Sequence, residues 1–221
     1  MRRFLPILLL LLTGLPGQAQ ERPAAFVDAA AVVPGLIVEM RYLGSNNFVG
    51  RPIDGYEQPV CLLTRQAAAA LANVARDLAP QGLRLKAFDC YRPKRAVAHF
   101  VRWAQAVNDL KTKSAFYPDL EKRRLFTDGY IAVHSGHSRG STIDLTLAGS
   151  TGELDMGTPF DFLSPRSNIG NPAVSVAAHK NRALLASAMR KRGFVPYSKE
   201  WWHFTLRGEP FPATYFDFPV R

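Results

Sequence analysis

Cysteine is scarce: Cys61 and Cys90 are the two cysteines in 221 residues. Two thiols this far apart do not form a zinc-finger pattern. Carboxylates are also in the minority, with 18 Asp and Glu against 28 Lys and Arg, a formal net charge of +10. The excess cations are scattered, and no basic run interleaves with aromatics, which argues against a nucleic-acid-binding protein. Attraction to anionic cell-wall polymers is an equally simple meaning for that charge in an exported protein. The chain has no internal repeat, no low-complexity stretch and no linker rich enough to divide domains. Long apolar runs are missing too. The longest, Phe4 to Leu15, falls short of the ~20 residues that cross a bilayer.

That run has another meaning. Arg2 and Arg3 precede it, and Pro16-Gly17-Gln18-Ala19 follows, with small residues at the −3 and −1 positions of a cut after Ala19. This predicts a secretory signal peptide over 1–19 and one folded domain over 20–221, periplasmic or secreted, with no stable membrane anchor after cleavage. An uncleaved anchor is the competing reading. In an oxidising compartment Cys61 and Cys90 are expected to pair, the alternative being two separate buried thiols.

The remaining pattern predicts an α+β domain with a mostly antiparallel sheet flanked by helices. A helix is expected over 65–80, with Thr64 as N-cap, Ala68, Leu71, Val74, Ala75 and Leu78 on one face, and Pro80 as its stop. A second is expected over 93–110 and a third over 181–193. Strands are expected over 83–88, 141–147 and 200–208. Residues 111–130 and 149–175 read as loops, and loops of the latter's length are usually functional.

The chemistry gathers in two segments. "HSGHSRGSTIDLTL" (134–147) sends an apolar strand inward while carrying Asp144, seven residues after His137. A buried carboxylate needs a charged partner or a metal. "EWWHF" (200–204) adds Glu200 and His203. His137, Asp144 and His203 make three N/O donors, the set of a catalytic zinc site with an open position, and Glu200 is placed as a base beside it. Taken alone, each piece has a plainer meaning. His137 and Asp144 read equally as a hydrogen-bonded structural pair, and Trp201 and Trp202 as core. Arg92, between a strand and a helix, reads as a surface ion pair with Asp89. His99 and His179 read as ordinary surface or core residues. His134 reads as structural or as a neighbour of the site.

Taken together, "RYLGSNNFVGRPIDGY" (41–56), "YRPKRAV" (91–97), "SGHSRGSTIDLTL" (135–147), "MGTPFDF" (156–162), "EWWHF" (200–204) and "YFDFPV" (215–220) resemble the VanX-like D-alanyl-D-alanine dipeptidases. These are zinc enzymes related to the D,D-carboxypeptidases, and the resemblance spans nearly the whole mature chain. It implies one zinc per chain on His137, Asp144 and His203, with Glu200 as catalytic base and acid. It implies Arg92 at the oxyanion, Ser135 at the substrate's carboxylate, and Tyr42 and Asp161 at its ammonium. Thr142 and Cys90 depart from the alanine and glycine common in such relatives, and neither is expected to touch a proposed role. The expected function is hydrolysis of D-alanyl-D-alanine in cell-wall peptide turnover. The alternatives are a D,D-carboxypeptidase acting on longer peptidoglycan stems and a zinc-binding recognition module without activity.

Overall fold

The computed structural model describes residues 20–221, so the expected signal peptide lies outside the described residues. The strands are β1 (Phe26–Asp28), β2 (Ile37–Val38), β3 (Leu62–Thr64), β4 (Arg84–Asp89), β5 (Thr142–Gly149), β6 (Gly152–Glu153), β7 (Phe194–Pro196) and β8 (His203–Leu206). The helices are α1 (Arg65–Leu78), α2 (Lys94–Gln105), α3 (Lys113–Phe116), α4 (Arg124–Thr127) and α5 (Val176–Lys191). The main sheet runs β2-β4-β5-β8-β7, with β6 paired to the far end of β5. Only β2 and β4 run parallel within it; the other pairs are antiparallel, as expected for this α+β domain. β1 and β3 form a separate small ladder.

β5 is buried from Thr142 to Ala148, which its lack of charged residues other than Asp144 permits. Alternation puts Ile143, Leu145 and Leu147 on one face and Thr142, Asp144 and Thr146 on the other. α1 and α5 pack on each other, α1 also against β4 and α5 against β5. The expected stripe of α1 is buried, and each such Leu or Val stabilises by roughly 1.5–3 kcal/mol. Thr64 caps this helix as predicted, its Oγ1 accepting from the Ala67 N–H at 3.3 Å.

Several boundaries differ from expectation. α2 ends at Gln105, where Lys122 reaches in and donates to the carbonyls of Trp103 (2.9 Å) and Ala106 (3.0 Å). A buried cation from a later segment thus satisfies carbonyls at this helix end, which no local periodicity announces. α5 starts at Val176, before the expected 181, because Ser175 Oγ accepts from the Ala178 N–H at 3.0 Å. Residues 111–130 hold two one-turn helices, α3 and α4. Glu200–Trp202 form a turn, and the last strand begins only at His203. β1, β2, β3 and β7 span two or three residues each, too short to show a period. Cys61 and Cys90 are disulfide-bonded, with Cα atoms 5.3 Å apart, joining the start of β3 to the end of β4.

Candidate active site

Sheet register explains the buried carboxylates. Asp144 on β5 pairs with Asp89 on β4 and with His203 on β8, so the three lie in one row across adjacent strands. His137 arrives from the 3-10 turn Gly136–Arg139 that precedes β5. Gly140 closes that turn at φ 80, and a Cβ there would lie 2.1 Å from the Phe26 ring, so only glycine fits.

Three donor atoms converge at the end of this row. Asp144 Oδ1 lies 3.0 Å from His203 Nδ1 and 3.3 Å from His137 Nε2, and the two nitrogens are 3.2 Å apart. A tetrahedral zinc with bonds of about 2.0–2.1 Å has ligand atoms about 3.3 Å apart. The protonation pattern also fits. His137 Nδ1 sits 2.7 Å from the Cys90 carbonyl, which only accepts, so Nδ1 carries the proton and Nε2 presents a lone pair. Asp144 Oδ1 is buried without a hydrogen-bond donor. The trio therefore fits a zinc ion on its own donor chemistry, and it is the one group of metal-holding side chains among the described residues.

Around it stand the other candidates. Glu200 Oε2 lies 3.6 Å from His203 Nδ1. Burial pushes the Glu200 carboxyl up to about 7, against the opposing pull of His203. Burial alone would also raise Asp144, but His137 and His203 overcome it and hold that carboxyl well below the ordinary range. Arg92 Nη2 is 3.6 Å from Asp144 Oδ2, and its guanidinium lies over the rings of Tyr42 (5.2 Å) and Phe100 (5.0 Å). Tyr42 donates its hydroxyl to Asp161 Oδ1 at 3.1 Å, while Asp161 Oδ2 is buried with no partner. Burial, then the nearby Asp144 charge, hold the Asp161 carboxyl well above the usual carboxylate range. Ser135 Oγ accepts from the His137 N–H at 3.3 Å. These groups share one cleft of about 300 Å³, the small end of ligand pockets.

Residues 22–221 match the family model described as D-ala-D-ala dipeptidase. The chain belongs to the D-ala-D-ala dipeptidase family. It is 43% identical over 192 residues to a D-alanyl-D-alanine dipeptidase of Enterococcus faecium, covering 86% of this chain and 95% of the relative. Against the enzyme of that name from Enterococcus faecalis the identity is 44% over 202 residues, 90% of this chain and 99% of the relative. The enzyme of that name from Escherichia coli K12 is 40% identical over 181 residues, 81% of this chain and 83% of the relative.

For this dipeptidase-family chain, all eight residues singled out in the sequence fall at one place. The trio converges, and Glu200, Arg92, Tyr42, Asp161 and Ser135 line the adjoining cleft. Two readings change. The ion pair of Arg92 with Asp89 forms, Nη2 to Oδ2 at 2.9 Å, but it is interior rather than on the surface, with Asp89 fully buried. Cys90 does touch the site, through its carbonyl on His137. His134, read as structural or as a neighbour of the site, lies exposed against the Tyr215 ring and also lines the same cleft.

The sequence reading missed Asp89 as a site residue. Its Oδ2 also accepts from Arg92 Nε at 2.9 Å and lies 3.4 Å from His137 Nδ1, while Oδ1 accepts from the Tyr56 hydroxyl at 2.6 Å. The available signal was a carboxylate ending an alternating strand on the parity of the apolar Leu85 and Ala87.

Proposed function

We propose that this chain is a zinc-dependent dipeptidase that hydrolyses D-alanyl-D-alanine, the substrate in its curated relatives' name. The observation that carries the reading is the single small cleft. It holds a three-donor metal site, the Glu200 carboxyl and a largely buried guanidinium, together with Asp161, one of whose oxygens is buried without a partner. His137, Asp144 and His203 would hold one zinc per chain, which when bound would supply a Lewis acid and lower the pKa of water toward about 7. Glu200 takes a proton from the attacking water and passes it to the leaving amine. Arg92, always charged and braced by Asp89, faces the negative charge that develops on the scissile carbonyl's oxygen. Ser135 receives the substrate's carboxylate. Asp161 and Tyr42 receive its ammonium, a cation that lets Asp161 ionise where burial otherwise opposes it.

The amino-end pocket separates this reading from a D,D-carboxypeptidase, whose extended substrates carry no ammonium there. A recognition module has no use for Glu200. Export to the periplasm, and a role in peptidoglycan peptide turnover, rest on the leader pattern of residues 1–19 and are supported by the Cys61–Cys90 disulfide, a bond that persists in oxidising compartments.

The test is kcat/KM for free and N-acetylated D-alanyl-D-alanine. Acetylation removes the cation and leaves the buried Asp161 group unpaired, a penalty of roughly 1–3 kcal/mol. The blocked substrate is expected to be cleaved at least about tenfold less efficiently, since 1.4 kcal/mol is one decade. Equal values for the two would refute the amino-end pocket and move the enzyme to the carboxypeptidase reading.

A further inference from the structure

Arg182 on α5 is 1% exposed, yet no carboxylate lies within ion-pair distance of it among the described residues. Buried cations ordinarily have an anionic partner. This one is satisfied by a single loop. Nε donates to the Met156 carbonyl (2.7 Å), and Nη1 to the carbonyls of Arg166 (3.0 Å) and Asn168 (2.7 Å). Nη2 donates to Thr158 Oγ1 at 3.4 Å. One planar group thus grips both legs of the 156–168 loop, and Asp161 sits between those legs.

Two further observations tie that grip to the cleft. Asp161 has φ 63, a left-handed conformation uncommon outside glycine and one that aspartate adopts in turns, so the placement of its carboxyl depends on how this loop is held. The loop is also fastened to the residue beside Glu200. Trp201 Nε1 donates to Thr158 Oγ1 at 2.9 Å, and the Trp201 backbone N–H donates to the Ser167 carbonyl at 3.1 Å. The loop that the guanidinium grips therefore carries Asp161 and is hydrogen-bonded to the neighbour of Glu200. Lysine cannot replace it fully, because three donors on a flexible stem do not reproduce a rigid fork that reaches four acceptors.

We propose that Arg182 is a positioning residue for substrate selectivity, fixing the 156–168 loop so that the Asp161 carboxylate meets the free amino terminus of a dipeptide. This rests on the amino-end pocket proposed above. Its role passes through Asp161; it touches no substrate itself.

The experiment measures kcat and KM for free and N-acetylated D-alanyl-D-alanine in the wild type, Arg182→Met, Arg182→Lys and Asp161→Ala, with zinc content and Tm recorded for each. Arg182→Met is expected to raise KM for the free dipeptide about tenfold, with kcat and zinc content held within about twofold. The blocked substrate should change little, so the free-to-blocked ratio falls toward that of Asp161→Ala, with Arg182→Lys between. A wild-type ratio retained in Arg182→Met, with both substrates slowed equally or only Tm lowered, overturns the proposal and leaves Arg182 a purely structural residue. A ratio near one in the wild type overturns the amino-end pocket, and this proposal with it. Should Arg182→Met fail to fold, Arg182→Lys decides by the same ratio.

Discussion

Reducing the Cys61–Cys90 disulfide should destabilise the protein by an amount set by the loop it closes. The bonded residues are 29 apart in sequence. Loop-closure entropy for a ring of that size is worth about 3.6 kcal/mol at 25 °C, in the chain-entropy account of cross-linking. For a domain of this size each kcal/mol moves Tm by roughly 2–4 °C, so reduction should lower Tm by about 7–14 °C. The bond joins β3 to the end of β4, next to Asp89 and Arg92, and the Cys90 carbonyl holds the His137 tautomer. The comparison must therefore separate loop entropy from metal binding. Thermal unfolding of chelated, metal-free protein with and without reductant does so, and thiol titration before reduction should find no free thiol. Two titratable thiols in protein purified without reductant, or a Tm shift below about 2 °C, would refute the reasoning.

Mass spectrometry under native conditions should find about one zinc per chain, and a strong chelator should abolish hydrolysis; full activity in chelator would remove the metal from the mechanism. Glu200→Ala should keep its zinc yet lose roughly 10²–10⁴-fold in kcat, and loss of zinc instead would make Glu200 a ligand. Glu200→Gln gives a second readout in metal-free protein. The folded-state pKa of about 7 lies above the ordinary 4.5, so the stability tied to the neutral carboxyl is fully present below pH 4.5 and lost as pH rises through 7. The amide cannot ionise, so this variant should unfold at higher Tm than wild type at pH 8, with no gain at pH 4; equal Tm at pH 8 would contradict the burial argument. Arg92→Ala should lower kcat by about 10²–10³, and an effect confined to KM would reassign Arg92 to ground-state binding.

The sequence by itself pointed to His137, Asp144, His203 and Glu200 as candidates through their residue types and setting, and to the other cleft residues through the family resemblance. Asp144 is a charge in an otherwise apolar strand, and His203 follows Glu200 and two tryptophans at the head of another. α1 was equally legible, since the Thr64 cap, the apolar stripe and the Pro80 stop each act over a few residues, though the helix ends at Leu78 and Pro80 lies in the 3-10 turn that follows. What only the tertiary structure decided comes from partners far apart in the chain. The carbonyls at the end of α2 are satisfied by Lys122, and the bracing of Arg92 and His137 depends on strand register placing Asp89 beside Asp144. The choice of His137 Nε2 as the free nitrogen depends on a main-chain carbonyl at Cys90, and a carbonyl has no signature in sequence. Arg182 looked like any helix arginine until folding buried it and set four acceptors of one loop around it. Local patterns report propensity and amphipathicity over a few residues; these contacts exist because the folded chain removes polar groups from water and must satisfy each with whatever the topology brings near.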